Sequence, residues 1–173
     1  MLTIRPSRED DIPAITAIYS YYVLYSTYTF ETIPPTIDEM ANRRADVLKS
    51  NMPYLVAEVA DSIIGYAYCS WFKPRVGYRF SMELTIYLDK DMCGKGYGSQ
   101  LLNALLHEAE LVGVRKMIAC IGDSTNEGSI RLHRAAGFSH VGIMKSCGWK
   151  FNRWIDVIFM EKSIGDGDTT APE

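Results

Sequence analysis

The run Arg79-Phe80-Ser81-Met82-Glu83-Leu84-Thr85-Ile86-Tyr87-Leu88, with Gly94-Lys95-Gly96-Tyr97-Gly98 close behind it, decides the fold. Phe80, Met82, Leu84, Ile86 and Leu88 alternate strictly with Arg79, Ser81, Glu83, Thr85 and Tyr87. A period of two predicts a strand with one face in the core and the other carrying charge and hydroxyls. The glycines fall where that strand ends and a helix begins, a helix predicted over about Gly96 to Val112 with Gly113 as its stop. Glycine there lets main-chain N–H groups approach a ligand, and a helix start offers unpaired donors with a partial positive charge. The loop is therefore either a phosphate cradle or a tight turn. It is not a Walker loop, which needs GxxxxGK[ST], nor a dinucleotide GxGxxG, which would follow the first strand of a βαβ unit.

Upstream, Leu2 to Pro6 reads as a strand, and Ser7-Arg8-Glu9-Asp10 resembles a capping box. Ile12, Ile15, Ile18, Tyr19, Tyr22 and Val23 recur at helical spacing, and Pro34-Pro35 opens a second helix over about Thr36 to Lys49. Tyr54 to Val59 and Ile63 to Trp71 form a predicted hairpin about Asp61-Ser62. Downstream come a strand at Lys116 to Ile121, a helix at Asn126 to Ala136 closed by Gly137, and strands around Val141 to Trp149 and Trp154 to Glu161. Strand, two helices, three strands, helix, strand, helix and two strands make a layered α/β domain with hairpins and crossovers. The domain is expected over residues 1–163, with the polar stretch 164–173 as a frayed tail.

The chain has 173 residues, 47% of them apolar, and a net charge of −3, so one well-buried domain is expected and neither nucleic acid nor an anionic membrane as a partner. Cysteines at 69, 93, 120 and 147 are widely spaced and never form CxxC, which argues against a zinc site and a disulfide framework. No apolar run approaches a membrane span, and Met1 to Pro6 shows no export signal; a cytoplasmic protein is expected.

Glu83 to Leu88 followed by Gly94 to Gly98, and then Asn126-Glu127-Gly128-Ser129-Ile130-Arg131-Leu132-His133 ending at Gly137-Phe138, resemble the consecutive motifs of the GNAT superfamily of N-acetyltransferases. His133, Pro74-Arg75, Tyr78-Arg79, Gly148 to Phe151 and Arg153 to Asp156 are similar to its phosphinothricin and methionine sulfoximine acetyltransferase branch. The resemblance spans Leu2 to Lys162. It implies a GNAT fold, a mixed and mostly antiparallel sheet of about seven strands flanked by four helices. It further implies acetyl transfer from acetyl-CoA to a small-molecule amine without a metal, and a homodimer built on the final hairpin. Cys93 departs from the Arg or Gln usual there. Backbone N–H groups from Gly94, Lys95, Gly96, Tyr97, Gly98 and Ser99 would then carry the pyrophosphate.

Glu83, on the polar face and four residues from Arg79, is the candidate acceptor for the amine's proton, or else a partner of Arg79. His133 shares a helix stripe with Asn126, Ile130 and Gly137; most of the superfamily has Tyr there, so His133 is a candidate acid, or else a packing histidine bonded to a carbonyl. Asn126, with Ser129, would hold the pantetheine arm or cap the helix, and the strand edge at Ile86, Tyr87 and Leu88 would pair with that arm by main chain. Lys95, Arg131 and Arg134 are further phosphate candidates. Arg75 and Arg79 suit an acceptor ending in carboxylate- or phosphinate-like oxygens, with Phe30, Tyr78 and Trp154 as walls. A polyamine, an aminoglycoside or a protein N-terminus would be the alternative acceptor, and a non-catalytic acyl-CoA sensor the alternative class.

Overall fold

A computed structural model describes residues 1–172. Its elements are β1 (Leu2–Pro6), α1 (Ile12–Tyr25), α2 (Ile37–Lys49), β2 (Tyr54–Val59), β3 (Ser62–Trp71), β4 (Ser81–Leu88), α3 (Tyr97–Leu111), β5 (Lys116–Gly122), α4 (Glu127–Ala135), β6 (Ser139–Lys150) and β7 (Arg153–Ser163). The strands form one seven-stranded sheet in the order β1-β2-β3-β4-β5-β7-β6. Every neighbouring pair is antiparallel except β4 and β5. This is the expected GNAT architecture, with α1 and α2 on one face and α3 packed on the other.

The alternation in β4 sorts the two layers. Met82 and Leu84 are buried with Leu101, Leu102, Leu105 and Ala109 of α3, and each fully buried leucine contributes about 1.5–3 kcal/mol. The opposite face is less open to solvent than its polarity suggests. Tyr87 there packs against Tyr19 and Tyr22 of α1 and Tyr66 of β3, with ring centroids 5.0–5.8 Å apart. The α1 stripe Ile12, Ile15, Ile18, Tyr19, Tyr22 and Val23 is buried as its spacing predicts.

Four local expectations shift. Arg79 and Phe80 precede β4 rather than opening it, because Arg79 ends a turn over Val76–Tyr78 and its guanidinium lies on the Phe80 ring. The β2–β3 turn falls on Ala60-Asp61, both left-handed, which matches the sheet's twist with a two-residue hairpin. Ser7 is no capping residue: its hydroxyl accepts from Arg44 Nε, while Asp11 receives the Arg8 N–H at 2.7 Å. Ile164, counted with the polar tail, is buried, and its N–H donates to the Arg115 carbonyl. Glu173, the last residue of that expected tail, lies outside the described residues. Among the described residues no helix is long and apolar enough to cross a membrane.

Candidate active site

The parallel pair β4 and β5 is in register only from Ser81↔Lys116 to Leu84↔Ala119. Beyond that row β4 runs on to Leu88 beside β3 alone, while β5 runs on beside β7. The sheet therefore splits, and the β4 edge at Ile86 and Tyr87 lacks a strand partner on the β5 side. The chain then enters the glycine loop. Gly94 (φ +76°) and Gly96 (φ +83°) occupy the left-handed region that disfavours side chains, and a Cβ at either would meet nothing within 4 Å. No side chain caps α3, so its first N–H groups face this open cradle. Lys95 and Ser99 are exposed, and Gly98 is buried against Leu88 and Leu132. At Cys93 the thiol lies 3.8 Å from the Tyr22 hydroxyl, which itself donates to the Leu88 carbonyl at 2.7 Å.

Glu83 stands at the root of the split, paired with Ser70 on β3 and Ile118 on β5. Burial pushes its carboxyl above the usual range, only partly offset by a hydrogen bond from the Cys120 thiol and by the charge of Lys73. The Cys120 thiol is pushed up to about 12 by its own burial and by Glu83, so it remains a donor. No ion pair joins Glu83 to Arg79 among the described residues.

On the far side, Asn126 caps α4 by accepting the Ser129 N–H at 3.2 Å. His133 is only 2% exposed and packs edge-on to Phe138. Its Nδ1 lies 2.8 Å from the Ser129 carbonyl, which can only accept, so Nδ1 carries the proton and Nε2 a lone pair. Among the described residues that Nε2 is buried without a partner. Burial lowers the His133 pKa, the Ser129 carbonyl opposing it, so the resting ring is neutral.

The acceptor candidates scatter more widely. Arg75, Tyr78 and Arg79 lie exposed on the loop between β3 and β4. Trp154 is 61% exposed and meets Trp149 edge-on across the β6–β7 hairpin. Phe30 rests against Gly148. Between α1, α2 and β4 lies a cavity of about 90 Å³, bounded by Tyr19, Glu31, Arg43, Tyr68, Thr85 and Tyr87. Because Glu83, Thr85 and Tyr87 alternate on one strand face, the cavity and Glu83 share that face.

Sequence reasoning missed the residues that hold these parts together. Asp123 is 3% exposed and left-handed (φ +68°). Its carboxylate accepts from Thr27 Oγ1, from the N–H and hydroxyl of Thr125, and from Arg153. Lys150 is 3% exposed and donates to the Thr29 carbonyl at 2.9 Å and, more loosely, to that of Tyr22 at 3.5 Å. Glu31 accepts from Tyr19 and Arg43. The run Asp123-Ser124-Thr125-Asn126 does carry a turn signal. Nothing in the sequence marks Lys150 as buried.

Four findings from known proteins bear on this geometry. The acetyltransferase (GNAT) domain family matches residues 4–159. The phosphinothricin N-acetyltransferase of Alcaligenes faecalis is 46% identical over 99% of this chain and 87% of its own length. The L-methionine sulfoximine/L-methionine sulfone acetyltransferase of Pseudomonas aeruginosa is 37% identical over 98% of both. In the crystal structure of a GNAT superfamily phosphinothricin acetyltransferase from Sinorhizobium meliloti, in complex with acetyl-CoA, the fold matches with a TM-score of 0.96 at 41% identity, covering 99% of this chain and 93% of that one.

Proposed function

The chain belongs to the GNAT acetyltransferase family, and from that premise we propose that it transfers the acetyl group of acetyl-CoA to the primary amine of an amino-acid-like acceptor of the phosphinothricin or methionine sulfoximine type. One observation carries the reading: the sheet splits after Leu84 and Ala119, so a free strand edge leads straight into an uncapped helix start. A ligand with an amide-bearing arm and a diphosphate fits that pair of features, the arm along Ile86 and Tyr87 and the diphosphate on the N–H groups of Gly94 to Ser99. Bound there, acetyl-CoA supplies an activated acetyl thioester.

The protein's part is alignment and proton handling. Glu83, held by Cys120 and raised by burial, takes the ammonium proton of the acceptor directly or through one water, which leaves the amine free to attack. His133 presents a lone pair at Nε2, which would take the second proton shed by the attacking nitrogen and pass it to the leaving sulfur. Holding both partners in line is worth about 7–11 kcal/mol of the barrier in favourable cases. Arg75 receives the oxygen-rich end of the acceptor.

Titration calorimetry with coenzyme A, together with a thiol-release assay on a panel of amines, tests this reading. Association with coenzyme A and release of thiol with sulfoximine, sulfone and phosphinate amino acids are expected. Binding without release with every amine would indicate a sensor, and no binding would end the proposal. Arg75→Ala should raise KM for an anionic acceptor roughly tenfold to a hundredfold, the loss of one charge-assisted bond, with little change for a simple amine. Equal effects on both would make Arg75 structural.

A homodimer is the second element of the proposal. Val141, Ile143, Met144, Trp149 and Trp154 on the terminal hairpin are all more than 40% exposed. They lie at the end of the sheet where β6 is the edge strand, an apolar patch that supports a second copy as its cover. Sedimentation of the wild type is expected at twice the chain mass, and Trp154→Glu should shift it toward the monomer. An unshifted variant would remove this face from the interface.

A further inference from the structure

We propose that Gly148 and Lys150, beside the tip of the β6–β7 hairpin, determine acceptor specificity by fixing where Phe30 and Glu31 stand. The inference rests on the acetyl-transfer reading above and names two specificity residues for it.

The segment between α1 and α2 has little regular structure of its own, and its shape is set from outside. Lys150 donates to Thr29 O at 2.9 Å and lies 3.5 Å from Tyr22 O, so it ties the middle of the segment to the end of α1. Phe30 follows, and its ring fills the notch left by Gly148, where an added Cβ would overlap the ring atoms. Next comes Glu31, held by the Tyr19 hydroxyl at 2.8 Å and by Arg43, on the wall of the tyrosine-lined cavity.

Two features separate this arrangement from ordinary packing. Gly148 does not need glycine for its backbone, since its φ is not in the left-handed region; only the Phe30 ring requires the missing side chain. Lys150 is a buried cation with no carboxylate in ion-pair range among the described residues. The charge of Glu31 acts on it from beyond ion-pair range and offsets only part of the cost of burial, so an apolar residue would serve packing better. Their place in β6, against the segment between α1 and α2, accounts for both.

Phe30 is already 37% exposed, so a methyl group at Gly148 should swing the ring outward rather than unfold the chain. The next residue, Glu31, bounds the cavity and shifts with it, so the cavity changes shape. The test compares Gly148→Ala with wild type on two acceptors that differ by one methylene, L-methionine sulfone and S-methyl-L-cysteine sulfone. The kcat/KM ratio between them should change about tenfold or more, through KM, because one methylene in a fitted pocket is worth roughly 10- to 200-fold. KM for acetyl-CoA should stay within about twofold, since the cradle is untouched. In a Phe30→Leu background the same substitution should have little effect, which a packing role elsewhere would not produce. Lys150→Met, which keeps the stem and removes the donor, should shift the ratio in the same sense.

A ratio that stays within twofold, or an equal fall of kcat for both acceptors, overturns the inference. So does loss of folding in Gly148→Ala, which would mean that Phe30 cannot move. Absence of thiol release from the wild type would instead defeat the underlying transferase reading.

Discussion

Glu83→Gln is expected to lower kcat by roughly 10²- to 10⁴-fold, the range for removal of a general base, while affinity for coenzyme A stays within a few-fold. The cradle and the β4 edge are main-chain features that the substitution leaves alone. The pH profile carries the sharper signature. Burial holds Glu83 above the ordinary carboxylate range, so the wild type needs pH above that raised value before its base is free. With glutamine there, the rate instead follows the free-amine fraction of the acceptor, and the optimum moves to more alkaline pH. Stability should run the other way. A group whose folded pKa is raised contributes stability that is fully present below its unfolded pKa and lost as pH rises through the folded one. At neutral pH the ionised Glu83 therefore costs stability, and the Gln variant should melt no lower than the wild type. A wild-type pH–rate profile in the variant would take Glu83 out of the base role.

Asp123→Ala should produce the largest loss of stability among the polar substitutions, about 2–4 kcal/mol, which lowers Tm by roughly 4–16 °C in a chain of this size. Burial alone would push Asp123 up, but the hydrogen bonds from Thr27, Thr125 and Arg153 reverse this and hold it well below the usual carboxylate range. Arg153 is half exposed, so solvent screens its share, and most of the loss comes from the stranded Thr27 and Thr125 donors. Alanine also tolerates the left-handed backbone poorly. Because the folded pKa is depressed, this stability is present above the unfolded value of about 3.9 and fades as pH falls toward the folded one. Urea unfolding at pH 7 and at pH 3 should show the gap between wild type and variant narrowing in acid. A gap of the same size at both values would mean that Asp123 is not held as a buried anion.

The two residues differ in how far the sequence exposes them. Glu83 was legible because strict alternation from Phe80 to Leu88 places it on the polar face of a strand that leads into Gly94–Gly98. Its contact with Cys120 was not. That contact depends on β5 lying parallel to β4 with Ile118 opposite Glu83, a pairing made through a long crossover. Asp123 gave only a turn signal, since its partners Thr27, after α1, and Arg153, at the start of β7, are remote along the chain. His133 was legible as one residue of a helix stripe, but whether that stripe faced a cleft or the core required a neighbour. Phe138 and the Ser129 carbonyl close around it and leave Nε2 without a partner among the described residues. The acceptor arginines, visible as charge, sit on an exposed loop whose direction no local pattern encodes.

By itself the sequence determined what is local and periodic: which strands and helices form and in what order, which faces are apolar, and which glycines end α3 and α4. Two- and 3.6-residue repeats, together with the steric freedom of glycine, act within a few bonds. The tertiary structure alone decided where the sheet parts, which titratable groups lose their water, and how the loop before α2 is held by the last hairpin. Those outcomes depend on desolvation and on distances between segments remote along the chain, quantities that exist only once the layers have closed.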